Sequence, residues 1–163
     1  MKSIEKSNKS LNRVVILLGS NIQPAENLRS ANELLSTHIS IVSSSRVWET
    51  TAVGSDGPNF LNQAIKVETH RNADEIKNEI IKGIETELGR VRTEDKNAPR
   101  TIDLDIILFN ETVIDHALWE KAFVAVPVAE LEPGLINPDN QLTLAQIAGK
   151  LKSSTKVELF MGV

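Results

Sequence analysis

The chain has 163 residues, 40% hydrophobic and 25% charged, which suits one globular domain with a real core. Its formal charge of -4 argues against general nucleic-acid binding, whose usual footprint is a basic surface. It carries no cysteine and three scattered histidines, so disulfides, thiolate zinc and thiol catalysis are excluded, and any bound metal needs oxygen ligands, favouring magnesium, manganese or calcium.

Residues Met1 to Asn12, rich in Lys, Ser and Asn, contain no apolar run and do not form a signal peptide. They are expected to be a disordered tail ahead of a single domain spanning 13–163. No segment approaches the roughly 18 apolar residues needed to cross a bilayer; a cytoplasmic chain without membrane contact is the expectation. Arg13 to Leu18 (RVVILL) is a dense apolar run that reads as a strand buried on both faces. Gly19-Ser20-Asn21 ends it. Pro24 and Glu26 suit the first turn of a helix, whose apolar stripe is Leu28, Ala31, Leu34 and Leu35.

Ile39 to Thr51 alternates well enough for a second strand. Ala52 to Asn59, with Gly54, Asp56, Gly57 and Pro58, is a loop, and Phe60 to Thr69 is a third strand. Asn72 is placed to cap a long helix in which Ile76, Ile80, Ile84 and Leu88 recur every fourth residue, and Gly89 is placed to stop it. Arg90 to Pro99 reads as a charged, solvated loop. Thr101 to Phe109 (TIDLDIILF) is the strongest strand in the chain. Phe123 to Val126 reads as an edge or return strand, Leu144 to Leu151 as a small helix, and Val157 to Phe160 as a last strand. The order strand, helix, strand, strand, helix, strand is the split βαβ pattern of a ferredoxin-like α+β sandwich. It predicts a mainly antiparallel sheet with helices on one face, plus C-terminal additions.

The chemistry concentrates on the fourth long strand. Asp103 and Asp105 are two residues apart and share one face, while Ile102, Leu104 and Ile106 share the other. Their α-carbons lie about 6.8 Å apart, and at an effective dielectric near 20 their repulsion is about 2.5 kcal/mol. Partial burial adds a desolvation cost. A divalent cation removes both penalties; so does pairing with Arg100 and a second arginine as a structural ion cluster, and the residues alone leave both open. Arg90, Arg92 and Arg100 flank the strand, and guanidinium forks suit phosphate oxygens. Metal-holding acids beside phosphate-holding arginines form a minimum kit for phosphoryl transfer. Neither the P-loop nor the GxGxxG signature is present. Phe60 and Phe123 could clamp a flat heterocycle, with Asn62 bonding to its edge; core packing of both rings is the plainer alternative.

Taken together, Leu18–Asn21, Pro58–Asn62, Ile84–Glu85, Leu88–Arg92 and Pro99–Asp105, with Phe123, Pro127–Leu131 and Pro133, resemble the 6-hydroxymethyl-7,8-dihydropterin pyrophosphokinases of folate biosynthesis. The similarity runs from about Arg13 to Pro138, and the APRTIDLDIILF stretch is its most specific part. The resemblance implies a ferredoxin-like fold and transfer of the β,γ-pyrophosphoryl group of ATP to the pterin hydroxymethyl oxygen, releasing AMP. It implies that Asp103 and Asp105 bind two magnesium ions and that Phe60 and Phe123 sandwich the pterin. Asn62, Thr50 and Val53 would contact its edge, and Arg90 and Arg100 would grip the phosphates. Glu85, Arg92, Ile106 and Lys121 would lie near ATP, with the loops Thr51 to Asn59 and Arg90 to Pro99 closing as lids. A monomer acting on pterin and ATP is expected. Two departures stand out: the Pro-His pair usual before Phe123 is absent, with His116 or Trp119 as substitutes, and Lys121 replaces the usual arginine. The competing readings are a pterin- or nucleotide-binding relative without turnover, and a regulatory module on the same scaffold.

Overall fold

In the computed structural model, residues 10–51, 58–90 and 101–162 are described. Among the described residues seven strands form one antiparallel sheet: β1 (Asn12–Ser20), β2 (Ser40–Ser44), β3 (Trp48–Thr50), β4 (Phe60–Thr69), β5 (Asp103–Phe109), β6 (Thr112–Val113) and β7 (Val157–Leu159). The order is β6-β5-β1-β4-β3-β7, with β2 also pairing to β4. Helix α1 (Pro24–His38) follows β1, a helical stretch α2 runs over 73–87, and α3 (Ala122–Leu131) and α4 (Leu144–Ser154) precede β7. The β1-α1-β2/β3-β4-α2-β5 core, with β1 between β4 and β5, is the ferredoxin-like arrangement expected from the pattern.

β1 occupies the centre because it can afford no wet face: every residue from Val14 to Ser20 is buried. Val14, Ile16 and Leu18 face a core completed by Leu28, Ala31 and Leu35 of α1, by Leu61 and Ile65 of β4, and by the isoleucines of α2. Val15 and Leu17 face a second core with Trp48, Ala64 and Ile107, closed by Val124, Ala125 and Val128 of α3 and Leu144 and Ala148 of α4. Helices α1 and α2 therefore share one face, as expected, while the C-terminal additions cover the other. Each fully buried Ile or Leu contributes about 1.5–3 kcal/mol, so both cores are substantial.

Helix α2 opens on Asn72, whose side chain accepts from the Glu75 amide while Glu75 returns the bond, a complete capping box. Its middle, Ile76–Ile81, is π-helical and its end, Lys82–Glu87, is α-helical. A four-residue repeat drifts around an α-helix of 3.6 residues per turn; the wider π turns absorb that drift. Ile76, Ile80 and Ile84 consequently all reach the core. Gly89 ends the helix at φ 81, a left-handed conformation that glycine adopts without a Cβ penalty.

Two local expectations are corrected. Phe123 to Val126 is not a strand but the start of α3, which even holds Pro127 in its interior. Six of its ten residues are buried, so its sequence shows no polar face, and a short apolar run cannot be assigned to strand or helix by period alone. The single strand expected over Ile39 to Thr51 is split into β2 and β3. Between them the Ser45 hydroxyl accepts the Ala64 amide and Gln63 Nε2 donates to the Ser45 carbonyl, so side chains replace ladder bonds.

Candidate active site

The pleat assembles the site on the α3/α4 face, at the end of the sheet where Gly19 of β1 lies between Asn62 of β4 and Asp103 of β5. Four residues form a row across four strands: Trp48 opposite Asn62, Asn62 opposite Gly19, Gly19 opposite Asp103. Thr50 lies opposite Phe60. Thr50 and Asn62 are both buried, at 7% and 3% exposure, and Asn62 Nδ2 lies 3.3 Å from Thr50 Oγ1 as donor. Gly19 is the floor between the amide and the acids. A Cβ there would stand 2.8 Å from Asn62 Oδ1, so only glycine lets the amide lean over β1.

Asp103 and Asp105 share this face, since Leu104 and Ile106 pack into the opposite core. Arg90 has turned back toward them. Its Nη1 donates to Glu85 Oε2 at 2.5 Å and to Asp103 Oδ1 at 2.8 Å. Arg90 Nε is buried and has no hydrogen-bond partner among the described residues. A buried orphan donor is costly, and an incoming oxyanion would satisfy it.

No basic side chain pairs with Asp105 among the described residues. Burial of its carboxyl against the sheet, then the charges of Asp103 and Asp115, a hydrogen bond with Asp103 and the charge of Glu85, push it up to about 7 from 3.8. Asp105 nevertheless keeps a solvent-exposed side, so water screens part of this repulsion and the upward direction is the firm result. Asp115, a third nearby carboxylate, was not visible from spacing; it is fixed by accepting the Ala117 amide at the start of the His116–Trp119 turn.

Phe60 and Phe123 are both half-buried and reach the same face from different elements, β4 and α3. Lys121 is exposed at the N-cap of α3, and Ile106 lies on the opposite face of β5. Val53, Arg92, Arg100 and both expected lid loops fall largely or wholly outside the described residues. The alternative to a metal, in which Arg100 and a second arginine pair with the acids, is met in one respect: Arg90 pairs with Asp103, while Arg100 lies outside the described residues.

Among the described residues no group of three or more His, Cys, Asp or Glu side chains is placed to hold one ion. Two carboxylates on a strand still fit magnesium, which keeps several waters and uses one or two carboxylates plus substrate phosphates. These features define a small α+β protein with a cluster of carboxylates beside a buried arginine on an antiparallel sheet.

The sequence model of the family described as 7,8-dihydro-6-hydroxymethylpterin-pyrophosphokinase (HPPK) matches residues 15–133, and the chain belongs to that family. It is 40% identical over 132 residues to the 2-amino-4-hydroxy-6-hydroxymethyldihydropteridine pyrophosphokinase of Bacillus subtilis, covering 74% of this chain and 78% of that one. The protein of the same name from Haemophilus influenzae is 32% identical, with 78% and 86% covered. Similarity to a wild-type Plasmodium falciparum HPPK-DHPS structure with pteroate gives a TM-score of 0.69 at 13% identity, over 88% of this chain and 43% of that one. That likeness supports the fold, and the chain spans less than half of the longer protein.

Proposed function

We propose that the chain transfers pyrophosphate from ATP to the hydroxymethyl group of 6-hydroxymethyl-7,8-dihydropterin, yielding AMP and the pterin diphosphate in folate biosynthesis. The hydroxymethyl oxygen forms a bond to the β-phosphorus, the bridge to the α-phosphate breaks, and the hydroxyl proton is released. The observation that carries this reading is the Asp103/Asp105 pair set beside Arg90 and one glycine away from the buried Asn62 amide, in a chain of this family.

In this reading Phe60 and Phe123 stack on the pterin. Asn62 supplies directional hydrogen bonds to its edge, together with Thr50 and Val53, and the Gly19 floor lets the ring approach the acids. Arg90 and Arg100 bind the transferring phosphates, and Glu85, Arg92, Ile106 and Lys121 belong to the ATP side. Asp103 and Asp105 would hold two magnesium ions, whose charge would neutralise the polyphosphate and the acid pair. Holding them requires Asp105 to lose its proton. Closure of the loops over 51–59 and 90–99 would exclude water, which otherwise competes as acceptor. The net charge of -4 agrees with small-molecule substrates rather than nucleic acid. A monomer in the cytoplasm is part of the same proposal; among the described residues no helix is long and apolar enough to cross a membrane.

The direct test is AMP release from ATP with hydroxymethyldihydropterin and magnesium. Turnover dependent on all three supports the reading. Pterin binding without AMP release would favour a binder that has lost transfer, with Lys121 and the missing Pro-His pair as the places to look.

A further inference from the structure

Glu85 is 4% exposed, on a helix whose other inward residues are isoleucines. A carboxylate so placed needs partners, and three local features supply them. The π turns of α2 keep Ile76, Ile80 and Ile84 in the core, and Glu85 of the following α-helical turn is buried beside them. Beyond the helix, Gly89 at φ 81 closes a Schellman turn: its amide donates to the Thr86 carbonyl at 3.0 Å, and the Arg90 amide to the Glu85 carbonyl at 2.9 Å. That turn folds Arg90 back over Glu85. Finally, β6 pairs only with Leu108 and Phe109, so the outer edge of β5 at Leu104 lies beyond it. Glu85 Oε2 takes the Leu104 amide there at 3.1 Å.

We propose that Glu85 is a positioning residue of the acid site. Through Arg90 Nη1 and the Leu104 amide it fixes both the guanidinium that touches Asp103 and the strand edge that carries Asp103 and Asp105. It acts through Arg90 rather than by touching the nucleotide. The inference rests on the transfer reading above and refines the place that reading gives Glu85.

Glu85→Gln keeps the shape and an acceptor for the Leu104 amide but removes the charge that holds Arg90. The expected result is an about 10–100-fold loss in kcat, the range seen for groups that orient metal-site side chains, with the KM for pterin unchanged. Magnesium-dependent binding of a non-hydrolysable ATP analogue, read by calorimetry without turnover, should weaken in parallel. The decisive comparison repeats E85Q in an Arg90→Ala background. If Glu85 works through Arg90, the second change costs less than about twofold. An equal loss in both backgrounds overturns the proposal. Should E85Q fail to fold, Glu85→Asp, which withdraws the carboxylate by one methylene, enters the same cycle with the same expectation. A wild-type chain that neither binds the analogue nor releases AMP overturns the transfer reading and this proposal together. An active wild type with an additive cycle overturns only the role of Glu85.

Discussion

Asp105→Asn should stabilise the ligand-free protein at neutral and higher pH, an advantage that fades as pH falls toward the ordinary carboxylate range. The native carboxyl titrates near 7 rather than at 3.8, so the folded state disfavours the charged form. Folding stability from this group is therefore fully present below about 3.8 and is lost as pH rises through about 7. Taken whole, the rise corresponds to about 4 kcal/mol; because Asp105 keeps a solvent-exposed side, screening leaves about 1–2 kcal/mol to be recovered by the neutral amide. For a chain of this size that is a gain of about 3–6 °C in Tm. Thermal unfolding at pH 8 and at pH 4.5, without magnesium, measures it. The D105N advantage should be clear at pH 8 and should shrink toward zero at the lower pH. A destabilised D105N at pH 8, or an equal advantage at both pH values, would refute the electrostatic argument.

Gly19→Ala puts a methyl 2.8 Å from Asn62 Oδ1, so pterin affinity should fall by about tenfold, the equivalent of roughly one good hydrogen bond, while the fold survives; fluorescence titration with pterin reads it. Gly89→Ala forces a Cβ into a left-handed position at φ 81. It should cost about 1–2 kcal/mol in urea unfolding and lower kcat by displacing Arg90. Glu130 accepts the Trp48 indole N–H and pairs with Arg46 Nε at 2.9 Å; Glu130→Ala should lose about 1–3 kcal/mol of stability with magnesium binding unchanged.

Where one period governs a segment, the sequence reads directly. Alternation put Asp103 and Asp105 on one face of β5, and the unbroken apolar run of β1 marked it as the strand buried on both sides. Asn72, Pro24 and Gly89 marked helix ends because each has a specific backbone role there. Reading fails where a segment is apolar all round, as in α3, since no polar face reveals its period. It also fails where side chains take over ladder bonds, as Ser45 and Gln63 do between β2 and β3. The acid pair was legible from spacing and Arg90 was legible as a neighbour, but their ion pair was not: Arg90 meets Asp103 because a Schellman turn reverses the chain after Glu85. Likewise the role of Gly19 depends on the register of β1 against β4, and that of Asp115 on a turn beyond β5, neither of which is a local sequence signal.

Calorimetric titration of the wild-type chain with a non-hydrolysable ATP analogue, with and without magnesium, is the measurement closest to the central claim. Binding should require magnesium, tighten as pH rises through about 7 while Asp105 gives up its proton, and vanish in both Asp103→Asn and Asp105→Asn. Binding that is indifferent to magnesium, or that survives in either variant, would contradict the assignment of these carboxylates as the metal-holding pair.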